Sequence, residues 1–366
     1  MTNYTEINQF NPDWVPAPGE TISEILEGFG WTQVTLAQRM GRTTKFINQL
    51  IKGKAPLDEN TALRLEKVLG VRASFWLSLE NEYQLSVARK KEEEKLAEQE
   101  EWASSFPVSA MINLNWITKR ETKGETVKEL LEFFAVVSPD SWREVWGGTL
   151  SVSYRGSNTF TPKTTSVAAW LRYGQRCAAQ TTLPVFDKAA FGMAASALRA
   201  LAIQGNPDIF IPRLKEICAA CGVLVLFVPE LPQTTLSGAA HWYHGKPIIQ
   251  LSLRHKTNDH LWFSFFHEMK HILSHSAKEI YVNERDSSSE EEMEADLFAR
   301  NTLIPPGKYK ELLSQRITLQ LIKDFAFSIG IDPGIVVGRL QHEKLLPQSY
   351  GNGLKVRYKW KLSPRQ

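Results

Sequence analysis

The chain has 366 residues, enough for two or three domains, and its 43% hydrophobic and 23% charged content is that of an ordinary globular protein. A net charge of +3 does not make the whole molecule a polyanion binder; there is no apolar run of membrane-spanning length, so no transmembrane helix is expected, and residues 1–18 lack the apolar core of a signal peptide. Three cysteines, Cys177, Cys218 and Cys221, are too few for a disulfide framework and point to a reducing, cytoplasmic setting.

Charge is unevenly spread. Between Gly28 and Leu57 there is no Asp or Glu, yet Arg39, Arg42, Lys45, Lys52 and Lys54 fall there. A local basic patch on a near-neutral chain is the footprint of a nucleic-acid module. Residues 20–85 read as short helices. Thr21 is a cap for a first helix over Ser23 to Gly28. Thr32 caps a second, carrying Val34, Leu36, Ala37 and Met40 and stopped by Gly41. Thr43 caps a third, with Phe46, Ile47, Leu50 and Ile51 inward and Gly53 as its stop. A fourth runs from Asn60 to Leu69 and a fifth begins near Ser74. Gly41-Arg42 suits the sharp corner of a helix-turn-helix, whose second helix enters the major groove N-terminus first. That places Thr43, Thr44, Lys45 and Asn48 nearest base edges and phosphates. Gln33 opens the preceding helix, where an amide and helix N–H groups meet phosphate, while Lys52 and Lys54 hold the backbone.

With the helix-turn-helix, the stretches Pro18–Glu27, Ala62–Gly70 and Phe75–Leu79 resemble the lambda-repressor-like domain of HigA-type antitoxins over residues 15–85. The resemblance implies a homodimer on operator DNA that represses its own promoter, and it allows a cognate toxin as a further partner.

Arg89 to Trp102 is dense in Lys and Glu at i, i+4 spacing, so 86–102 reads as a solvated helical linker. Residues 103–209 read as a helical middle region without a catalytic motif. Beyond it the pattern changes. Val223–Val228 and Pro247–Ser252 read as buried strands, and the alternating Lys355–Leu362 as a last strand within a basic tail, 346–366. Cys218 and Cys221 lack a second pair and read as buried apolar thiols.

Between these strands and the tail lies His267-Glu-Met-Lys-His271 in an apolar helical stretch, about 257–276. Positions i and i+4 share a helix face, so both imidazoles reach one metal ion and Glu268 reaches a water on it. A hydrolytic zinc site has three protein ligands, and Glu290 to Asp296 is the source of the third. Glu292 and Asp296 share a face, so Glu292 can bind the ion while Asp296 accepts an N–H from a ligating histidine. Glu294 is rotated roughly 160° from Asp296 and is the weaker candidate. His275 lies about 12 Å along the axis from His267, too far to share the ion, and reads as a helix-end residue. Ser287 to Glu292 reads as a flexible acidic loop that lets the third ligand swing in. His255, His260 and His342 have no companion pattern and default to loop or surface. His241 and His244 are candidates to steady an oxyanion. Zinc would acidify a water and polarise the scissile carbonyl while Glu268 moves the proton to the leaving amine, and Ile248–Ser252 would pair with an extended substrate.

Ser237-Gly-Ala, Pro247–Leu251, Phe263–His275, Glu292–Ala299 and Leu303–Pro306 resemble the ImmA/IrrE metallopeptidases over residues 210–345. The resemblance implies a small zinc-peptidase fold, Glu292 as third ligand, and a repressor or antitoxin as protein substrate. It departs at Lys270, where the family often has Gly, and at Met269; a cation beside the site would occlude it or repel basic substrates. The expected architecture is therefore multidomain: an all-α helix-turn-helix domain, a helical middle region and an α+β zinc-metallopeptidase-like domain. The alternative is a repressor or antitoxin whose peptidase-like domain is a non-catalytic sensor or partner-binding module.

Overall fold

The computed structural model describes residues 15–153, 162–274, 281–282 and 289–361. Contacts divide the chain into two compact units, residues 1–99 with 123–125, and residues 100–122 with 126–366.

The first unit holds α1 (Pro18–Phe29), α2 (Gln33–Met40), α3 (Thr44–Ile51), α4 (Glu59–Leu69) and α5 (Ala73–Ala97). Their apolar faces meet in a core of Ile22, Leu36, Met40, Ile47, Leu50, Leu65 and Trp76. Thr32 and Thr43 cap as expected, each hydroxyl accepting an N–H three residues on. The first helix does not start at Ser23 under a Thr21 cap. It starts at Pro18, whose fixed φ and missing N–H suit the first helical position. Gly19 then lies against α3, where any side chain would meet the Ile51 carbonyl. The fifth helix runs without a break through Arg89 to Ala97, so much of the expected linker is a continuation of α5.

The second unit begins with α6 (Glu100–Ser104), α7 (Val108–Asn113), α8 (Lys123–Phe134) and α9 (Pro139–Ser153), gathered on an aromatic cluster of Trp102, Phe106, Phe134 and Trp142. Then come α10 (Pro162–Gln180), α11 (Lys188–Ala200) and α12 (Pro207–Ala220), followed by β1 (Leu224–Phe227), β2 (Gly238–Tyr243), β3 (Lys246–Leu251), α13 (Asn258–Ser274), β4 (Tyr281–Val282), α14 (Glu290–Leu303), α15 (Pro306–Leu313), α16 (Leu319–Ile329) and α17 (Pro333–His342). Among the described residues no helix is long and apolar enough to cross a membrane. Apart from residues 123–125, residues 103–209, read as a middle region, fall in the same unit as the sheet.

The sheet has the order β1-β3-β2-β4. β1 runs parallel to β3 and β2 antiparallel to it. Strand residues alternate between faces. Ala240, Ile249 and Leu251 join the core with Phe265, Phe266 and Met269 of α13. The opposite face carries His241 and Gln250 towards α10, where Gln250 Nε2 donates to the Trp170 carbonyl at 2.7 Å. β2 is an element the sequence did not announce. Its Gly-Ala-Ala start has low strand propensity but lets helices approach on both sides.

The expected C-terminal strand over Lys355–Leu362 does not form in its described part; the segment makes a single bridge, Arg357 to Thr257. It is nevertheless bound to the start of α13. Asn258 N donates to the Val356 carbonyl, Val356 N to Asn258 Oδ1, and Tyr358 N to the Lys256 carbonyl.

Candidate functional site

The longest face of α13 is buried, so the helix is fixed by Trp262, Phe265, Phe266, Met269 and Ile272 in the core. Its other face turns His267 and His271 towards α14. Their Nε2 atoms lie 3.0 Å apart. Glu292 stands in the first turn of α14, with its N–H on the capping Ser289 hydroxyl at 3.3 Å. Its Oε2 is 3.0 Å from His267 Nε2 and its Oε1 3.3 Å from His271 Nε2. One ligand atom from each of the three residues can lie within 4.8 Å of the others. One turn further, Asp296 Oδ1 meets His267 Nδ1 at 2.9 Å. Burial alone would lower the pKa of His267, but hydrogen bonds to Asp296 and Glu292 outweigh it and hold the pKa up at about 10. Burial likewise opposes charge on Glu292, and the two histidines bring its pKa down to about 2. Glu290 to Glu292 are helical, not a swinging loop. Ser287 and Ser288 lie outside the described residues, as does His275.

Glu268 is fully buried beside this trio. Its carboxylate rests on Gly238 at the start of β2, where an added Cβ would stand 2.8 Å from Oε1. Lys270 does not enter the site. Its Nζ reaches outward to Glu294 Oε2 at 3.3 Å, which also removes Glu294 as a metal ligand candidate. Met269 is core.

Three expectations need correction. His241 points to the α10 side of the sheet, away from Glu268, and its Nε2 bonds Gln250 Oε1 at 3.1 Å; it cannot steady an oxyanion at the histidine pair. His244 sits exposed in the β2–β3 turn with φ of 47°. β3 is flanked by β1 and β2, so Ile248–Ser252 offers no open edge to a substrate strand.

Sequence reading also missed a cleft of about 550 Å³ that opens beside His267, Glu292 and Asp296. His255, His260 and His342, each read as loop or surface, line it. One signal was available: His260 precedes His267 by seven residues, two helical turns on the same face. The Cys218 thiol is buried in the core and pushed up by burial, and Cys221 lies in the same core cluster.

In the first unit, Gly41 takes a left-handed φ of 61° at the α2–α3 corner. Thr43, Thr44, Lys45 and Lys52 are exposed, while Gln33 and Asn48 are half-buried. The last two are not separate groups: Asn48 Nδ2 donates to Gln33 Oε1 at 3.2 Å, tying the start of α2 to the middle of α3. Arg64, which the sequence reading passed over, donates to the Met40 carbonyl at 2.7 Å and caps the end of α2.

Residues 22–76 match the helix-turn-helix family, and residues 218–328 match the family of the IrrE N-terminal-like domain. Over 75 residues the chain is 32% identical to an uncharacterized HTH-type transcriptional regulator, YddM of Escherichia coli (strain K12), covering 20% of this chain and 80% of that protein. Among solved structures, it is similar to an addiction module antidote protein of the HigA family from Coxiella burnetii, with 29% identity over 23% of this chain and 94% of the other, at a TM-score of 0.22. It is also similar to the Pseudomonas aeruginosa antitoxin HigA with the higBA promoter, with 24% identity over 22% and 90% of the two chains, at a TM-score of 0.22.

Proposed function

The chain belongs to the helix-turn-helix transcriptional regulators and carries an IrrE N-terminal-like domain as well, and from that premise we propose a DNA-binding regulator whose second domain is a zinc-dependent endopeptidase acting on a regulatory protein. The observation that carries the second half is the convergence of His267, His271 and Glu292 with the buried Glu268 alongside. Two imidazole nitrogens and one carboxylate oxygen are the donor set of a hydrolytic zinc, with a coordination position left over. Asp296, 2.9 Å from His267 Nδ1, is the kind of partner that would orient such a ligand, leaving Nε2 to hold the metal. The donors fit the metal.

When bound, zinc supplies Lewis acidity at the scissile carbonyl and acidifies water. Glu268 accepts the proton of the attacking water at its carboxylate and returns it to the leaving amine nitrogen. The missing side chain at Gly238 lets the strand approach that carboxylate closely, which leaves room for nothing larger beside it. In the first domain, Thr43, Thr44 and Lys45 at the start of α3 and Asn48 one turn on read an operator, with Gln33 and Lys52 on the phosphates, and the protein binds as a homodimer.

Incubation with regulatory proteins encoded beside this chain tests the reading. Wild type should produce a fragment and Glu268→Gln should not, while both hold about one zinc per chain by elemental analysis. Cleavage that survives Glu268→Gln refutes the mechanism; purified protein without zinc refutes the ligand set. A regulator that binds its partner but never cuts it returns the sensor reading.

A further inference from the structure

Resting on the metal-ligand set of the endopeptidase reading, we infer that Arg199 and Arg339 are positioning residues. They grip the C-terminal end of α14 and so fix where Glu292, at its other end, stands against His267 and His271. The need for such a grip follows from how α14 is packed. It lies on α13, but the side chains it fully buries are Ala295, Ala299 and Leu303. Two of these three are single methyl groups. They let helices approach closely yet raise almost no ridge to lodge in a neighbour's grooves. Such a face holds distance and rotation better than position along the axis. That position matters at the site. A helix rises about 1.5 Å per residue, so a slip of one residue's rise would move Glu292 by about half of the 3.0 and 3.3 Å between its carboxylate and the two histidines.

The last turn of α14 supplies the hold. An α-helix leaves its final carbonyls without donors of its own. Arg199, on α11, donates through Nε to the Leu303 carbonyl at 3.1 Å and through Nη2 to the Ile329 carbonyl, the end of α16, at 2.8 Å. Arg339, on α17, donates through Nη1 to the carbonyls of Arg300 and Ile304, both at 3.1 Å. Arg339 is itself held. Its Nε meets Glu343 Oε1 at 3.0 Å, and its guanidinium lies over the Tyr309 ring at 3.7 Å. The Tyr309 hydroxyl closes the circuit, donating to Glu343 Oε2 at 2.6 Å. Two cations at a helix C-terminus also oppose the negative end of its dipole. A lysine would keep that charge but lose the planar fork that serves several partners at once.

Lysine is therefore the informative substitution. Zinc affinity of the full-length protein is measured by competition with a chromogenic chelator, and the visible absorption of the cobalt-loaded form reports the ligand geometry, each at a temperature where circular dichroism shows the variant folded. Arg339→Lys and Arg199→Lys should each weaken zinc binding by about tenfold, and Tyr309→Phe, which only loosens Arg339, by about threefold. The cobalt spectrum should change in both lysine variants. Arg172→Lys is the control: Arg172 Nε donates to the Phe133 carbonyl at 2.8 Å elsewhere in the same unit, so its loss should leave affinity and spectrum alone. Should Arg339→Lys not fold, Arg199→Lys and Tyr309→Phe decide. Wild-type affinity and an unmoved spectrum in the folded variants overturn the inference and leave the endopeptidase reading standing. An equal loss in Arg172→Lys also overturns it, since general loosening would then be the cause. Wild type that takes up no zinc refutes the ligand set, and this inference with it.

Discussion

Gly238 governs how near a strand can come to the Glu268 carboxylate. In Gly238→Ala the new methyl would sit 2.8 Å from Oε1, so the carboxylate must swing away. Zinc content should hold while kcat falls by about tenfold to a hundredfold with KM little changed, as steady-state kinetics and elemental analysis would register. Asp296→Ala should weaken zinc binding by about ten- to a hundredfold, measured by competition with a chromogenic chelator, because His267 then loses the acceptor at Nδ1. Unchanged zinc affinity would mean that Asp296 does not orient the ring. The candidate ligands were legible in the sequence because His267 and His271, and again Glu292 and Asp296, follow the helical period. The cleft was not. His255 comes from a loop, His260 from the start of α13 and His342 from the end of α17, and no local spacing links the three.

Elements show where period and propensity fail. β1 and β3 are apolar runs and were readable. β2 was hidden because the requirement for small side chains beneath α13 and α10 displaced the β-branched residues that usually mark a strand. Likewise, β3 looked available to a substrate because a sequence names strands without naming their neighbours. The buried face of β2 has a measurable consequence. Burial drives the His241 pKa down to about 4, against a weaker opposing effect from Gln250. The native state therefore favours the neutral ring, and the unfolded chain takes up the proton first as pH falls below about 6.5. Stability is whole above that pH, declines between about 6.5 and 4, and should be lower by about 2 kcal/mol at pH 5 than at pH 7 from this residue alone. Denaturant unfolding should find that His241→Gln flattens this slope; an unaltered slope would assign the acid sensitivity elsewhere. In the first unit, Thr43→Ala removes the cap of α3 and should cost about 1 kcal/mol in the same assay.

At the scale of the molecule, two contact units imply two unfolding events. Calorimetry should resolve two transitions, with zinc raising one and leaving the other in place, since a ligand stabilises only the unit that binds it. One transition that moves as a whole would argue against independent units. The helices of 103–209 were readable as helices, yet not as part of the sheet's unit. An amphipathic face shows that a helix buries something, not what it buries; Phe191 and Leu198 of α11 join the core that holds α13. The segment after α17 was harder still, since its alternating pattern suggested a strand and its charge a tail. In the fold it is a clasp. Lys355 brings the counter-charge to the buried Asp259, and Asn258 binds Val356 through its backbone N–H and side-chain oxygen. A nonsense codon at position 355 would spare every proposed ligand and the whole DNA reader, yet strand a buried carboxylate at the root of α13, a loss of about 3–5 kcal/mol. Such an allele would behave as a peptidase-null regulator with its operator grip intact, so a clinical or environmental isolate carrying a late stop should not be scored as near wild type.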